Sequence, residues 1–244
     1  MLRLFWLQVL IAFGASVQAA DLPWADAQQM VVVTTAGWDV DHGLMQTFER
    51  DGAGWKAVSS RQPITVGRSG SAWGLGLHSV AAPGPVKQEG DGRSPAGVFR
   101  IGLAFGYAPA ESTALRYDGM TGSDYCIDVS GSSSYNRIVD AKVVGRSVIE
   151  GSTEPMRRDL HANGDQRYKL GFVIEHNDRG VAARGSCIFA HLWKQPGEPT
   201  AGCTAMSENA MRDLFTWLRA DRQPVFVLLP QAEYEKLKEN WRLP

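Results

Sequence analysis

Runs of alternating or β-branched apolar residues dominate the chain, and they predict strands more often than helices. MVVVTTA over residues 30–36 is β-branched, and LMQTFERDGAGWKAVSS carries Asp51-Gly52 and Ala53-Gly54 between two alternating runs, which predicts a hairpin. PITVG at 63–67 and AGVFRIG at 96–102 add two strands. KLGFVIEHN at 169–177 and GSCIFAHLW at 185–193 flank the loop NDRGVAAR and predict an adjacent antiparallel pair. A helix is expected from Ser207, an N-cap followed by Glu208, because Ala210, Met211, Leu214, Phe215 and Leu218 recur at helical spacing. PVFVLLP then reads as a buried strand and AEYEKLKENW as a terminal helix with charges outward. The Gly- and Ser-rich stretches 67–76 and 119–134 read as loops. The expected fold is mainly β with a few helices, as one domain over residues 21–244.

The first 20 residues break this pattern. Arg3 precedes an apolar stretch over 4–17, and VQAA at 17–20 supplies small residues for cleavage after Ala19 or Ala20, as in a secretory signal peptide. The competing reading is an anchor, but 14 residues span only about 21 Å of helix against a hydrocarbon core of roughly 30 Å, and Gln8 interrupts them. The expected mature protein is soluble and periplasmic, with no membrane span. A net charge of -1 across 244 residues provides no basic stripe for nucleic acid.

Candidate chemistry centres on His191, which ends an apolar run, and on Cys203, which stands between small residues twelve positions later. A thiol near neutral pH needs a base to become a nucleophile, and Gly-Cys-Thr-Ala leaves both sides of Cys203 open to a carbonyl. Five histidines and three cysteines offer many other pairs, so spacing alone does not select this one.

The block from Gly185 to Leu218 resembles the active-site block of the L,D-transpeptidase catalytic domain (YkuD-type) family, in which a strand-borne histidine precedes a Gly-Cys nucleophile and a helix follows. KQEGDGRSPAGVF at 87–99, SAWGLGLH at 71–78, SSSYN at 132–136, STEPM at 152–156 and IEHN at 174–177 extend the resemblance over roughly residues 60–230. It departs from the family's commonest signature, Ser or Thr before His-Gly-Cys, because Thr200-Ala201-Gly202-Cys203-Thr204-Ala205-Met206 lacks the second histidine and the basic residue that usually follows. The resemblance implies a β-sandwich or barrel with a helix after the nucleophile. It also implies a thioester on Cys203 formed from a peptidoglycan stem peptide with His191 as base, no cofactor, and acylation by carbapenems.

Further roles follow from the resemblance and the chemistry. The backbone N–H groups of Gly202 and Cys203 are candidates for the oxyanion hole, since glycine permits close approach. The backbone carbonyl after the histidine, here Leu192, orients it in the family. Candidate substrate contacts are Trp193, Tyr135, Asn136, Arg93, Thr200 and Glu154; Trp193 reads equally as packing, Asn136 as a turn residue and Arg93 as a solvated side chain. His78 and His176 match family positions without a catalytic assignment.

Export favours disulfides, and with Cys203 as nucleophile the remaining Cys126 and Cys187 are the natural pair; two reduced, buried thiols are the alternative. If CIFAH is one strand, Cys187 and His191 lie about 13 Å apart, so a cysteine near His191 is expected to be far from Cys187. The same distance opposes a zinc site built from His176, Cys187, His191 and Cys203. Three functions remain: a transpeptidase that crosslinks stems, a hydrolase of the same fold (carboxypeptidase, endopeptidase or amidase) that admits water, and a wall-binding module without turnover.

Overall fold

The strand-forming runs close on themselves. The computed structural model describes residues 22–79 and 83–244, so the signal-peptide reading of residues 1–20 lies outside the described residues. In chain order the strands are β1 (Gln29–Thr35), β2 (His42–Asp51), β3 (Gly54–Ala57), β4 (Gln62–Thr65), β5 (Ser71–Trp73), β6 (Ser94–Gly106), β7 (Tyr117–Gly119), β8 (Asp124–Cys126), β9 (Ile138–Asp140), β10 (Glu154–Pro155), β11 (Leu170–Ile174), β12 (Phe189–Leu192), β13 (Thr204–Met206) and β14 (Val225–Pro230). The helices are α1 (Ala141–Val144), α2 (Arg158–His161), α3 (Glu208–Trp217) and α4 (Gln231–Leu237). The order β1-β14-β6-β11-β12-β13-β4-β2 is closed by pairing of β2 with β1, which makes an eight-stranded barrel. Closure leaves none of these eight strands as a free edge.

Sequence pattern explains each strand's place. β14 is buried at every position and runs parallel to β1, itself almost wholly buried, as continuous apolar strands do when both faces are covered. β2 alternates buried and open positions, pairs antiparallel with β1 and forms the expected hairpin with β3. β11 and β12 are antiparallel neighbours, with Gly171 opposite His191 and Val173 opposite Phe189.

Helix α3 follows β13 directly. Its N-cap is Ser207, whose Oγ accepts from Ala210 N at 3.2 Å, and it buries Ala210, Met211, Leu214 and Phe215 in the main core. Ser207→Ala is expected to cost about 1 kcal/mol, a fall in Tm of roughly 2–4 °C for a protein of this size, read by thermal unfolding.

A second, three-stranded sheet, β10-β8-β9, lies in the segment between β7 and β11. The loop reading of 119–134 is corrected here, because β8 lies inside that stretch. Strands of two and three residues carry too little periodicity to be read, and they form because β8 pairs with β9 on one side and β10 on the other. Likewise β5 emerges inside the expected loop 67–76 by pairing with β6. The small sheet contributes Cys126, and Met120 and Met156 flank its strands; these pack with Phe105, Tyr168, Cys187, Phe189 and Cys203 into a second apolar cluster.

Candidate active site

Strand alternation puts the two candidate catalytic residues on one face. In β12, Ala190 and Leu192 join the main core, so Phe189 and His191 point to the opposite face, toward the second cluster. β13 runs parallel to β12 with Thr204 opposite Ala190, which sets Cys203 beside Phe189. Phe189 N donates to Cys203 Sγ at 3.4 Å. His191 stands two residues further along the strand, about 7 Å of rise.

His191 is buried, and its Nδ1 lies 2.7 Å from Leu192 O. A carbonyl only accepts, so Nδ1 carries the proton and Nε2 keeps a free lone pair. Burial pushes the imidazole down to about 4, with the Arg167 and Arg158 charges adding to the effect and the Leu192 bond opposing it. Burial also pushes the Cys203 thiol up to about 12, reinforced by the charge of Glu154. The resting pair is therefore a neutral thiol and a neutral imidazole. The thiol donates to Cys187 O at 3.5 Å, and among the described residues it makes no hydrogen bond to His191.

Tyr168 covers both strand residues, edge-on to Phe189 at 5.5 Å and to His191 at 5.3 Å between ring centres. Its hydroxyl donates to Glu154 Oε1 at 2.7 Å, and Arg158 Nη1 donates to the same oxygen at 3.0 Å. Arg158 and Arg167 both also hold Asp165. Sequence reading missed Tyr168, since an aromatic ahead of a strand carries no distinguishing signal. It missed Phe189 as well, whose role is a backbone N–H.

Most of the other candidates are held by internal bonds. Thr200 Oγ1 donates to Cys203 O at 2.6 Å and accepts from Gly202 N at 3.0 Å, and Ser94 Oγ donates to the same Cys203 carbonyl at 2.9 Å. Gly202 N–H is thus already occupied, which leaves Cys203 N–H as the oxyanion candidate of the pair. Arg93 donates to Trp38 O, Ser71 O and Asp39 Oδ1. Tyr135 donates to Glu89, and Trp193 Nε1 donates to Thr65 Oγ1 at 2.8 Å. Asn136 donates to His176 O and Asn177 O, each at 2.8 Å, while its Oδ1 accepts from Cys187 N at 2.8 Å.

Cys126 and Cys187 are disulfide-bonded. Cys203 is not far from Cys187, contrary to the separation expected for a strand over CIFAH. The strand begins at Phe189, and Cys187 precedes it in a left-handed conformation, φ 55°, which turns its carbonyl onto Cys203. Cys187 is therefore next to the candidate nucleophile and not remote from it, and its sulfur is committed to the bond with Cys126. Among the described residues no group of three His, Cys, Asp or Glu side chains is placed to hold a metal ion.

A groove of about 610 Å³ includes Phe189 in its lining, with Leu103, Val173, Cys126, Glu175 and Arg116 among the other lining residues. A larger depression of about 660 Å³ contains Trp193, and neither His191 nor Cys203 lines it or the groove. The first includes Phe189, whose backbone N–H donates to Cys203 Sγ.

The buried histidines give the fold a pH limit. His176 is held at about 4 by burial, like His191, against an ordinary 6.5, so the unfolded chain binds more protons between those values. Stability is complete above about pH 6.5 and falls toward pH 4, with each histidine accounting for a loss of about 3 kcal/mol at most. Chemical denaturation from pH 7.5 to 4.5 should show this decline. A midpoint independent of pH would contradict it.

A thiol and an imidazole lie on one face of the sheet, with Nδ1 of the imidazole fixed by a carbonyl, and these are the group types that a nucleophile and its base require. The chain belongs to the L,D-transpeptidase catalytic domain family (YkuD), whose profile matches residues 39–227, a family associated with peptidoglycan. Among solved structures it is similar to Bdellovibrio bacteriovorus Bd1075 at 12% identity and a TM-score of 0.39, over 88% of this chain and 54% of that one. The chain thus spans about half the length of that structure. No curated protein matches it.

Proposed function

We propose that the protein is an exported cysteine L,D-transpeptidase that acts on peptidoglycan stem peptides through a Cys203 thioester. The observation that carries this reading is the placement of Cys203 and His191 on one face, with His191 Nδ1 on Leu192 O so that Nε2 is free to act as base. His191 Nε2 takes the proton from Cys203 Sγ as sulfur attacks the carbonyl of an L-configured residue. Cys203 N–H supports the tetrahedral oxyanion. Its collapse breaks the peptide bond, and the departing D-amino acid leaves as an amine that takes the proton from His191. The thioester is then attacked by an amine of a second stem, which restores the thiol.

The burial of Cys203 supports amine transfer over hydrolysis, because a site that excludes water protects a thioester until a bound amine arrives. The groove that includes Phe189 suits an extended peptide, since its lining combines apolar Leu103 and Val173 with Glu175 and Arg116, which offer opposite charges to a stem bearing both amines and carboxylates. The same thiol is the expected site of carbapenem acylation.

Mass spectrometry of muropeptides after incubation with disaccharide tetrapeptides tests the proposal. New dimers whose fragmentation locates a crosslink support transpeptidation. Shortened monomers without dimers would replace it with the hydrolase reading, and unchanged substrate with retained sacculus binding would replace it with the wall-binding one.

A further inference from the structure

The thiol of Cys203 is held between two backbone groups of opposite effect. Phe189 N–H donates to sulfur and favours the thiolate; Cys187 O accepts from S–H and favours the protonated thiol. For His191 to take the proton, the thiol must leave the Cys187 carbonyl, so the position of that carbonyl governs where the nucleophile points.

Cys187 does not hold its place by local preference. A left-handed backbone is unfavourable for a residue with a Cβ and persists where surrounding structure over-determines it. Three tethers do so here. Asn136 Oδ1 accepts from Cys187 N at 2.8 Å, the disulfide joins Cys187 to Cys126 on β8, and the preceding Ser186 Oγ donates to Glu89 Oε2 at 2.7 Å. Asn136 is itself anchored by its amide on His176 O and Asn177 O. The small sheet is thereby linked covalently to the residue that faces the nucleophile.

We infer that Asn136 and the Cys126–Cys187 disulfide are positioning residues for Cys203, fixing the Cys187 carbonyl so that the thiol is kept shielded from water and held in place until substrate binds. The role rests on the proposed acyl-transfer reading, and it assigns the disulfide a function in orienting the nucleophile in addition to stapling the fold. Without the tethers the carbonyl drifts from sulfur and water reaches it. The thiol then ionises more readily but presents itself to a bound carbonyl less often.

The test measures the pH dependence of iodoacetamide alkylation at Cys203 beside its acylation by a tetrapeptide donor. The Cys126→Ser/Cys187→Ser double variant leaves Cys203 as the single cysteine, and Asn136→Ala loosens the same carbonyl with the disulfide intact. In both variants the alkylation midpoint should move down toward the ordinary thiol range near pH 8.5. Alkylation at pH 7.5 should rise at least about tenfold while acylation falls at least about tenfold. Asn136→Asp, which keeps the acceptor for Cys187 N–H, should retain more of the parent profile than Asn136→Ala. Parent-like alkylation profiles in the variants would overturn the inference. If circular dichroism shows the double variant unfolded, the two Asn136 variants decide. If the parent accepts no stem peptide the acyl-transfer reading fails, and the alkylation profiles still decide the positioning role.

Discussion

Cys203→Ala is expected to abolish product formation from stem peptides, a loss of about 10⁴-fold or more, since removal of a nucleophile leaves only binding and residual polarisation of the carbonyl. The fold should survive. The strand entry at Cys203 is fixed through its backbone carbonyl by Thr200 and Ser94, and neither bond involves the side chain that alanine removes. Loss of one buried sulfur costs about 1 kcal/mol, a Tm decrease of a few degrees. Product analysis together with a thermal melt therefore separates chemistry from stability. Full turnover by a folded Cys203→Ala protein would remove the thioester from the account.

His191→Gln should lower acylation by about 10²- to 10⁴-fold, the usual reach of a positioned general base. Its distinctive signature lies in the pH profile. With the imidazole near 4 and the thiol near 12, the neutral pair that reacts in the parent dominates across the whole neutral range, so the parent rate should be nearly flat from about pH 6 to 9. Without the base, reaction waits for thiolate formed by solvent, whose fraction grows about tenfold per pH unit below the thiol's midpoint. The variant's logarithmic rate should climb with a slope near one, and its deficit should shrink at high pH. A flat, equally reduced profile would assign His191 to packing against Tyr168 and deny it proton transfer.

Elements whose signal is local were legible in the sequence. Ser207 marks the start of α3, and the antiparallel β11–β12 pair and the buried β14 follow from composition and periodicity. His191 and Cys203 stood out as candidates because a resemblance singled out one pair among many. The supporting structure was not legible. β8, β9 and β10 are too short to carry a period and exist through their pairing, so the segment that brings Cys126 to Cys187 read as loop. Cys187 itself looked like the first residue of an apolar strand; nothing in CIFAH reveals the left-handed turn imposed by Asn136 and Cys126, residues distant in sequence. Arg93, Thr200 and Asn136 have side chains suited to substrate, yet their donors and acceptors are engaged by backbone groups around the site. Residue type indicates what a side chain is able to bind, whereas the fold decides which partner reaches it first.

The proposed reaction requires a covalent bond to one sulfur. Intact-mass spectrometry of the purified protein, quenched in acid soon after mixing with a tetrapeptide donor and followed by peptide mapping, reads that bond directly. An adduct equal to the donor minus its terminal D-amino acid, located on Cys203 and absent from Cys203→Ala, is the predicted result. Product formation with no adduct, or an adduct on another residue, would contradict it.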